Sequence, residues 1–309
     1  MARSAITVAI AGGSGFIGRA IARRLSRMAE YRVRVLSRSP NQARARLESV
    51  RADFVRADVT DPALLEAAVR GAAVVVNAAQ FDGFPVENPR LGLTFERVDH
   101  LGCAALVEAA KAAGARHFIY LSGLGADETS NHPAFRAKGL AEAAIKASGL
   151  DYTIFRPSVV VGQGDRVVSM LVKALRFAPV MVLPGAGRQR LQPVWVEDVA
   201  ACVALALTAG EKARARTFEM GGPEQMTLNE LVDLIMTITG YRRPVIHAPE
   251  PLMRLAGAIG EKLPRPLLSR DAVSFLMMDS VCDTRPLVEA LGIKLTPVRE
   301  ALAYLAAKS

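Results

Sequence analysis

The stretch ITVAIAGGSGFIGRAIARRL, residues 6–25, decides the fold. ITVAIA is a short apolar run rich in β-branched residues, without the alternation of a half-exposed strand, so it reads as a strand covered on both faces. From Gly18 onward the apolar residues return at helical spacing. Between the two lies AGGSGFIG, residues 11–18, with Gly12, Gly15 and Gly18 three apart. Glycines there permit a tight turn, close backbone approach to a pyrophosphate and close helix–strand packing, while the helix N-terminus offers free N–H groups and a partial positive charge. The strand–loop–helix setting makes this a dinucleotide site, with Ser14, Phe16, Ile17 and Arg19 completing the loop and first helical turn.

The same alternation continues outward to about residue 160. YRVRVLSR, DFVRADV, AAVVVNAAQ, RHFIYLSGLG and YTIFRPSVV read as further strands, with helices near 40–48, over PALLEAAVRG, over 94–113 and over 133–148 between them. Strands alternating with helices predict an α/β fold, a doubly wound parallel Rossmann sheet. After Val161 the pattern loosens, with Gly and Pro recurring through 187, until EDVAACVALAL opens a helix. Thr227 and Glu230 form a capping box for the helix after the Gly221-Gly222-Pro223 turn. We divide the chain into a dinucleotide-binding domain over 1–161, to which some later segments return, and a smaller, mostly helical substrate or partner domain over 162–309.

At the end of the second strand an NAD binder would carry an acid for the ribose 2′-hydroxyl; this chain has Ser37 and Arg38. A hydroxyl and a guanidinium suit a 2′-phosphate, and Arg19 is a further candidate cation for that pocket. NADP(H) is therefore the preferred cofactor, with NAD(H) the alternative.

Composition bounds the rest. With 39 Lys and Arg against 30 Asp and Glu, the net charge is +9, which favours acidic partners without choosing among phosphates, anionic membranes and acidic proteins. The cations are dispersed and the aromatics do not interleave with them, so no nucleic acid is expected. No apolar run approaches the roughly 20 residues that span a bilayer, and MARSAITVAIAGG enters a strand at once, leaving no room for a signal peptide; the expected location is cytoplasmic. Three scattered cysteines and four histidines show no metal-ligand spacing, so no metal site is expected. No Gly-x-Ser-x-Gly elbow occurs. Residues 250–270 place Leu252, Leu255, Ala256 and Ile259 on one helical face with Arg254, Lys262, Arg265 and Arg270 around it: either a core-facing stripe or a basic amphipathic surface for a membrane or partner.

With the glycine loop, ADVTD at 57–61, VNAAQ at 76–80, LSGLGA at 121–126, AKGLAEAAI at 137–145, RPSVVVG at 156–162 and QPVWVEDVA at 192–200, the chain resembles the atypical, extended branch of the short-chain dehydrogenase/reductase superfamily. It is similar to the group that includes the NADPH-binding accessory subunit of respiratory complex I and its bacterial relatives. The resemblance implies that Asp58 and Val59 border the adenine, that Asn77, Ala78 and Ala79 flank the ribose and pyrophosphate, that Pro157, Ser158 and Val159 lie near the nicotinamide, and that Lys138 sits over its ribose. It also implies a protein assembly as partner, with a place peripheral to the inner membrane.

In that family Tyr-x-x-x-Lys supplies the proton for hydride transfer: one helical turn apart, the ammonium lowers the phenol's pKa toward neutrality. Here the tyrosine position is Ala134. Phe135 carries no hydroxyl, Ser122 occupies the polarising serine position, and Tyr120 reads as a core residue. Lys138 has a second reading as a surface ion pair with Glu142. Two functions follow: an NADP(H)-binding protein without the usual proton relay, structural or redox-sensing and a component of a respiratory assembly, or an NADPH-dependent reductase, dehydrogenase or epimerase-like enzyme using Lys138 or water.

Overall fold

The computed structural model describes residues 5–261 and 269–308, so Lys262 and Arg265 of the basic segment lie outside the described residues. The first half runs β1 (Ile6–Ala11), α1 (Phe16–Leu25), β2 (Tyr31–Ser37), α2 (Pro40–Arg46), β3 (Ala52–Arg56), α3 (Pro62–Val69) and β4 (Val74–Asn77). A π-helical turn (Phe95–Leu101) leads into α4 (Gly102–Ala112), then β5 (His117–Leu121), α5 (Pro133–Ala147), β6 (Asp151–Pro157) and β7 (Val160–Val161). The predicted helix over 94–113 is thus two pieces.

The second half contains α6 (Arg166–Phe177), β8 (Met181–Pro184), β9 (Arg190–Leu191), β10 (Val194–Trp195), α7 (Val196–Ala206), β11 (Arg216–Met220), β12 (Met226–Thr227), α8 (Leu228–Thr239) and β13 (Val245–Ala248). It ends with α9 (Glu250–Gly260), α10 (Arg270–Leu276), α11 (Arg285–Leu291) and α12 (Val298–Ala301).

Seven parallel strands form the main sheet in the order β11-β6-β5-β4-β1-β2-β3. From β1 the chain moves outward through β2 and β3, then returns to the other side through β4, so a crevice opens at the strands' carboxyl ends between β1 and β4. Helices cover both faces, which is why β4 and β5 are buried throughout and read as unbroken apolar runs. On one face Ile21 and Leu25 of α1 meet Val199 and Cys202 of α7; on the other Leu65, Leu106 and Ile145 pack on Val75 and Phe118.

The segment after Val161 is more ordered than its glycines and prolines suggest. Asp165 caps α6, its carboxylate accepting the Val168 N–H at 2.7 Å, and Val168, Leu171 and Leu175 are fully buried against α8 and the chain's end. Each such side chain contributes about 2 kcal/mol of apolar burial. Gly164 and Pro179 merely bracket a regular helix. β11 and α7 join the first half's sheet and core, while three two-stranded pairs interrupt the helices of the remainder. The Thr227–Glu230 capping box forms as expected.

Candidate functional site

Gly12 lies at φ +69°, and a Cβ added there would stand 2.5 Å from the Ala78 carbonyl oxygen. A Cβ on Gly18 would collide with the Gly12 carbonyl. Helix α1 starts at Phe16 with no side-chain cap and no acid in its first turn, so neither offsets its positive end. Side chains are thus kept away where a pyrophosphate would approach backbone, and the residues present fit a dinucleotide.

Beside this loop opens a cavity of about 390 Å³, bounded by the ends of β1, β2 and β3, the loop after β4 and the π-helical turn. It gathers Gly12, Ser14, Gly15, Ser37, Arg38, Asp58, Val59 and Ala79 from four separate stretches of sequence. The Ser14 and Ser37 hydroxyls meet at 3.4 Å, tying the glycine loop to β2. Asp58 shapes its own turn by accepting the Thr60 N–H and hydroxyl at 2.9 and 2.8 Å. Arg38 reaches across the mouth to Asp82 at 2.6 Å, both side chains being at least half exposed.

Among the lining residues that the sequence did not reveal are Gln42 and Arg46 of α2, Asp82 of the loop after β4, and Arg97 of the π-helical turn. Arg38, Gln42 and Arg46 recur every four residues, a signal that could have found the first two. Arg97 had none.

Other expected residues stand elsewhere. Phe16, Ile17, Gly18, Asn77 and Ala78 build the loop's support rather than the cavity wall; buried Asn77 accepts the Ala79 N–H at 3.1 Å. Arg19 does not join the Arg38 pocket, because α1 turns its guanidinium away to the Gln163 carbonyl, 2.6 Å distant. Pro157 ends β6 and pairs with Met220 of β11; Val159 accepts the Val194 N–H through its carbonyl. Ser158 donates to the Ser280 carbonyl at 2.7 Å, joining the second half to the sheet's end.

The second cluster is buried under α5. The Lys138 ammonium donates to Asp99 of the π-helical turn at 2.9 Å, with the two residues only 7% and 3% exposed. This corrects the surface-pair reading: Lys138 faces inward, and Glu142 belongs to Arg156, which grips it bidentately at 2.8 and 2.7 Å. Ser122 donates its hydroxyl proton to the same Glu142 at 2.7 Å. Ala134 is 1% exposed, closed in at the position a tyrosine would need.

Tyr120 is 2% exposed, and its hydroxyl, like the second oxygen of Asp99, has no hydrogen-bond partner among the described residues. Burial holds its phenol well above the ordinary value, with Cys103, Asp99 and Glu142 acting in the same direction. It is a core residue of β5, 5.8 Å from the Lys138 ammonium measured to the ring centre. Burial also pushes the Cys103 thiol up to about 12, leaving it inert. His132 packs on Phe135 at 4.8 Å between ring centres, and Phe275 of α10 completes that aromatic group.

The arrangement can seat a dinucleotide over the glycine loop. Its serine proton is committed to a carboxylate, and its lysine is anchored by a carboxylate with two N–H donors to spare. The family model described as NAD(P)H-binding matches residues 12–179. The mitochondrial NADH dehydrogenase (ubiquinone) 1 alpha subcomplex subunit 9 of Arabidopsis thaliana is 29% identical over 277 residues, covering 86% of this chain and 67% of that protein. Ceramide reductase of Caulobacter vibrioides (strain NA1000 / CB15N) is 30% identical over 258 residues, 82% of this chain and 76% of its own. Among solved structures, UDP-glucuronic acid 4-epimerase from Bacillus cereus, in complex with UDP-glucuronic acid and NAD, superposes with a TM-score of 0.76, covering 98% of this chain and 99% of that one; at 17% identity this is a likeness of fold.

Proposed function

The chain belongs to the NAD(P)H-binding family, and we propose that it holds NADP(H) in preference to NAD(H) as a structural or redox-reporting group, without hydride turnover, as an accessory component of a respiratory assembly. Arg38 and Arg46 on one wall of the cavity favour a 2′-phosphate, and no acid stands at the end of β2 to repel one. Gly12, Gly15 and the start of α1 take the pyrophosphate, Asp58 and Val59 the adenine side, and Lys138, with its two spare donors, the nicotinamide ribose. Ser14, Ser37 and Ala79 border the phosphates and the adenosine ribose.

One observation carries the absence of turnover: Ser122 gives its proton to buried Glu142, and Ala134, also buried, stands at the tyrosine position. When bound, the nicotinamide supplies a hydride, and reduction of a carbonyl then needs a proton at the carbonyl oxygen. Ser122 has none to give, Ala134 has no oxygen, and Asp99 fixes Lys138 where it grips rather than relays. The likeness to the mitochondrial subunit supports the assembly reading.

Purification of the intact protein from its own cells tests the proposal. It predicts NADP(H) retained through chromatography and a stoichiometric protein partner; an empty site in an isolated monomer contradicts it. The likeness to ceramide reductase favours a second reading, an NADPH-dependent reductase using Lys138 or water. That reading requires NADPH turnover; its loss in Lys138→Ala would assign the proton to the lysine, and its survival there to water.

A further inference from the structure

Exposed apolar side chains concentrate on one run of joined elements. On α6, Met170 and Phe177 lie seven residues apart on the outward face, 55% and 75% exposed, with Lys173 and Arg176 exposed beside them. In β8, Met181 and Leu183 point inward and Val182 outward at 52% exposure; its partner across the β8–β13 pair, Ile246, is 50% exposed. Pro249 joins β13 to α9, whose Leu252, Leu255 and Ile259 are 58–60% exposed. These overturn the core-facing reading of that stripe: α9 packs through Gly257 and Gly260 instead. Of the eleven large apolar side chains exposed among the described residues, seven fall on these four elements. Such a concentration marks a surface that something covers.

Its charge says what. No Asp or Glu occurs between Asp165 and Glu197, nor between Asp233 and Glu250, so α6 carries Arg166, Lys173 and Arg176, and the turn before β13 carries Arg242 and Arg243, with no acid on α6, β8 or β13. Arg243 donates to the Ala178 carbonyl at 2.9 Å, which lays the Arg242–Arg243 turn against the end of α6. On α9, Arg254 and Glu250 neutralise each other. The core of a protein–protein interface is depleted of charge. Here single apolar side chains project outward among unneutralised cations, the pattern of an interfacial surface whose apolar tips reach the acyl boundary while Lys and Arg meet headgroup phosphates.

We infer that the face formed by α6, the β8–β13 pair and α9 docks on an anionic lipid bilayer. This stands apart from the nucleotide reading, since no residue of the glycine loop or its cavity takes part.

The test is flotation of the full chain with NADPH present, on vesicles of phosphatidylglycerol and phosphatidylcholine in equal parts and on phosphatidylcholine alone. Binding is expected on the anionic vesicles only. Each cation lost near a charged surface lowers partitioning about fivefold, so Lys173→Gln with Arg176→Gln lowers it about 25-fold. Phe177→Ser lowers it about tenfold or more through lost apolar insertion. The exposed pair Arg51→Gln with Arg70→Gln removes the same charge elsewhere and leaves binding within about twofold, and coincident melting curves show that every variant is folded. Equal binding to neutral vesicles, an equal loss in the Arg51/Arg70 variant, or unchanged binding in the patch variants overturns the inference. So does a dimer that Phe177→Ser disperses while vesicle binding is absent, which would assign the face to a second copy.

Discussion

Replacing Asp82 by Asn is predicted to strengthen NADPH binding while leaving NADH binding unchanged. The Arg38 guanidinium, which we propose as the reader of the 2′-phosphate, is held by Asp82 at 2.6 Å across the cavity mouth. A bound 2′-phosphate must share or displace that carboxylate. The ion pair is exposed, so giving it up costs up to about 1 kcal/mol. Two unit charges about 6 Å apart in water repel by about 0.7 kcal/mol, and a phosphate of charge near −2 doubles this before salt screening removes about half. The sum, about 1 to 2 kcal/mol, corresponds to roughly 5- to 30-fold tighter NADPH binding in Asp82→Asn. Arg38→Ala works in reverse, losing charge-assisted hydrogen bonds worth about 1.5 to 3 kcal/mol for NADPH alone. Nicotinamide fluorescence titrations of both nucleotides at fixed salt measure this. Weaker NADPH binding in Asp82→Asn, or equal changes for NADPH and NADH, refutes the reasoning.

Lys138→Met strands the Asp99 carboxylate in the core and is predicted to cost about 3 to 5 kcal/mol of unfolding free energy in urea; adding Asp99→Leu recovers much of it, and a loss under about 1 kcal/mol would show the pair to be hydrated. Burial depresses the His117 imidazole to about 4 from an ordinary 6.5, with its Nε2 2.9 Å from Thr153 Oγ1. Because the unfolded chain then binds more protons, stability falls as pH drops through that window, by up to about 3 kcal/mol; His117→Gln removes this part of the slope, which urea titrations from pH 7 to 4 detect. Gly12→Ala forces a Cβ onto the Ala78 carbonyl at positive φ and abolishes nucleotide binding in the same fluorescence titration; retained affinity would mean the loop is not the cradle.

The parallel sheet was legible because strands buried on both faces leave unbroken apolar runs, and the glycine turn because only glycine tolerates that approach of backbone to backbone. Helix α6 was hidden by its neighbours: Gly164 and Pro179 read as loop, though RVVSMLVKALRF between them has the period of a helix. The resemblance gave Lys138 but not Asp99, since no spacing links residue 99 to residue 138; only the π-helical turn brings that carboxylate under α5. Arg19 was misplaced for the complementary reason, that sequence position gives nearness to the loop but not the direction of a side chain on α1. Glu142 was read as surface because Lys138 four residues earlier suggested an exposed pair, whereas both face the core and each found a different partner.

The most direct test of the central claim is rapid mixing of the NADPH-loaded protein with long-chain ketones, quinones and enones, following nicotinamide oxidation. With Ser122 committed to Glu142 and Ala134 in the tyrosine position, the account predicts no oxidation above the rate of free NADPH. Oxidation at an ordinary enzymatic rate, about 1 per second or faster, with any one of these acceptors would contradict it.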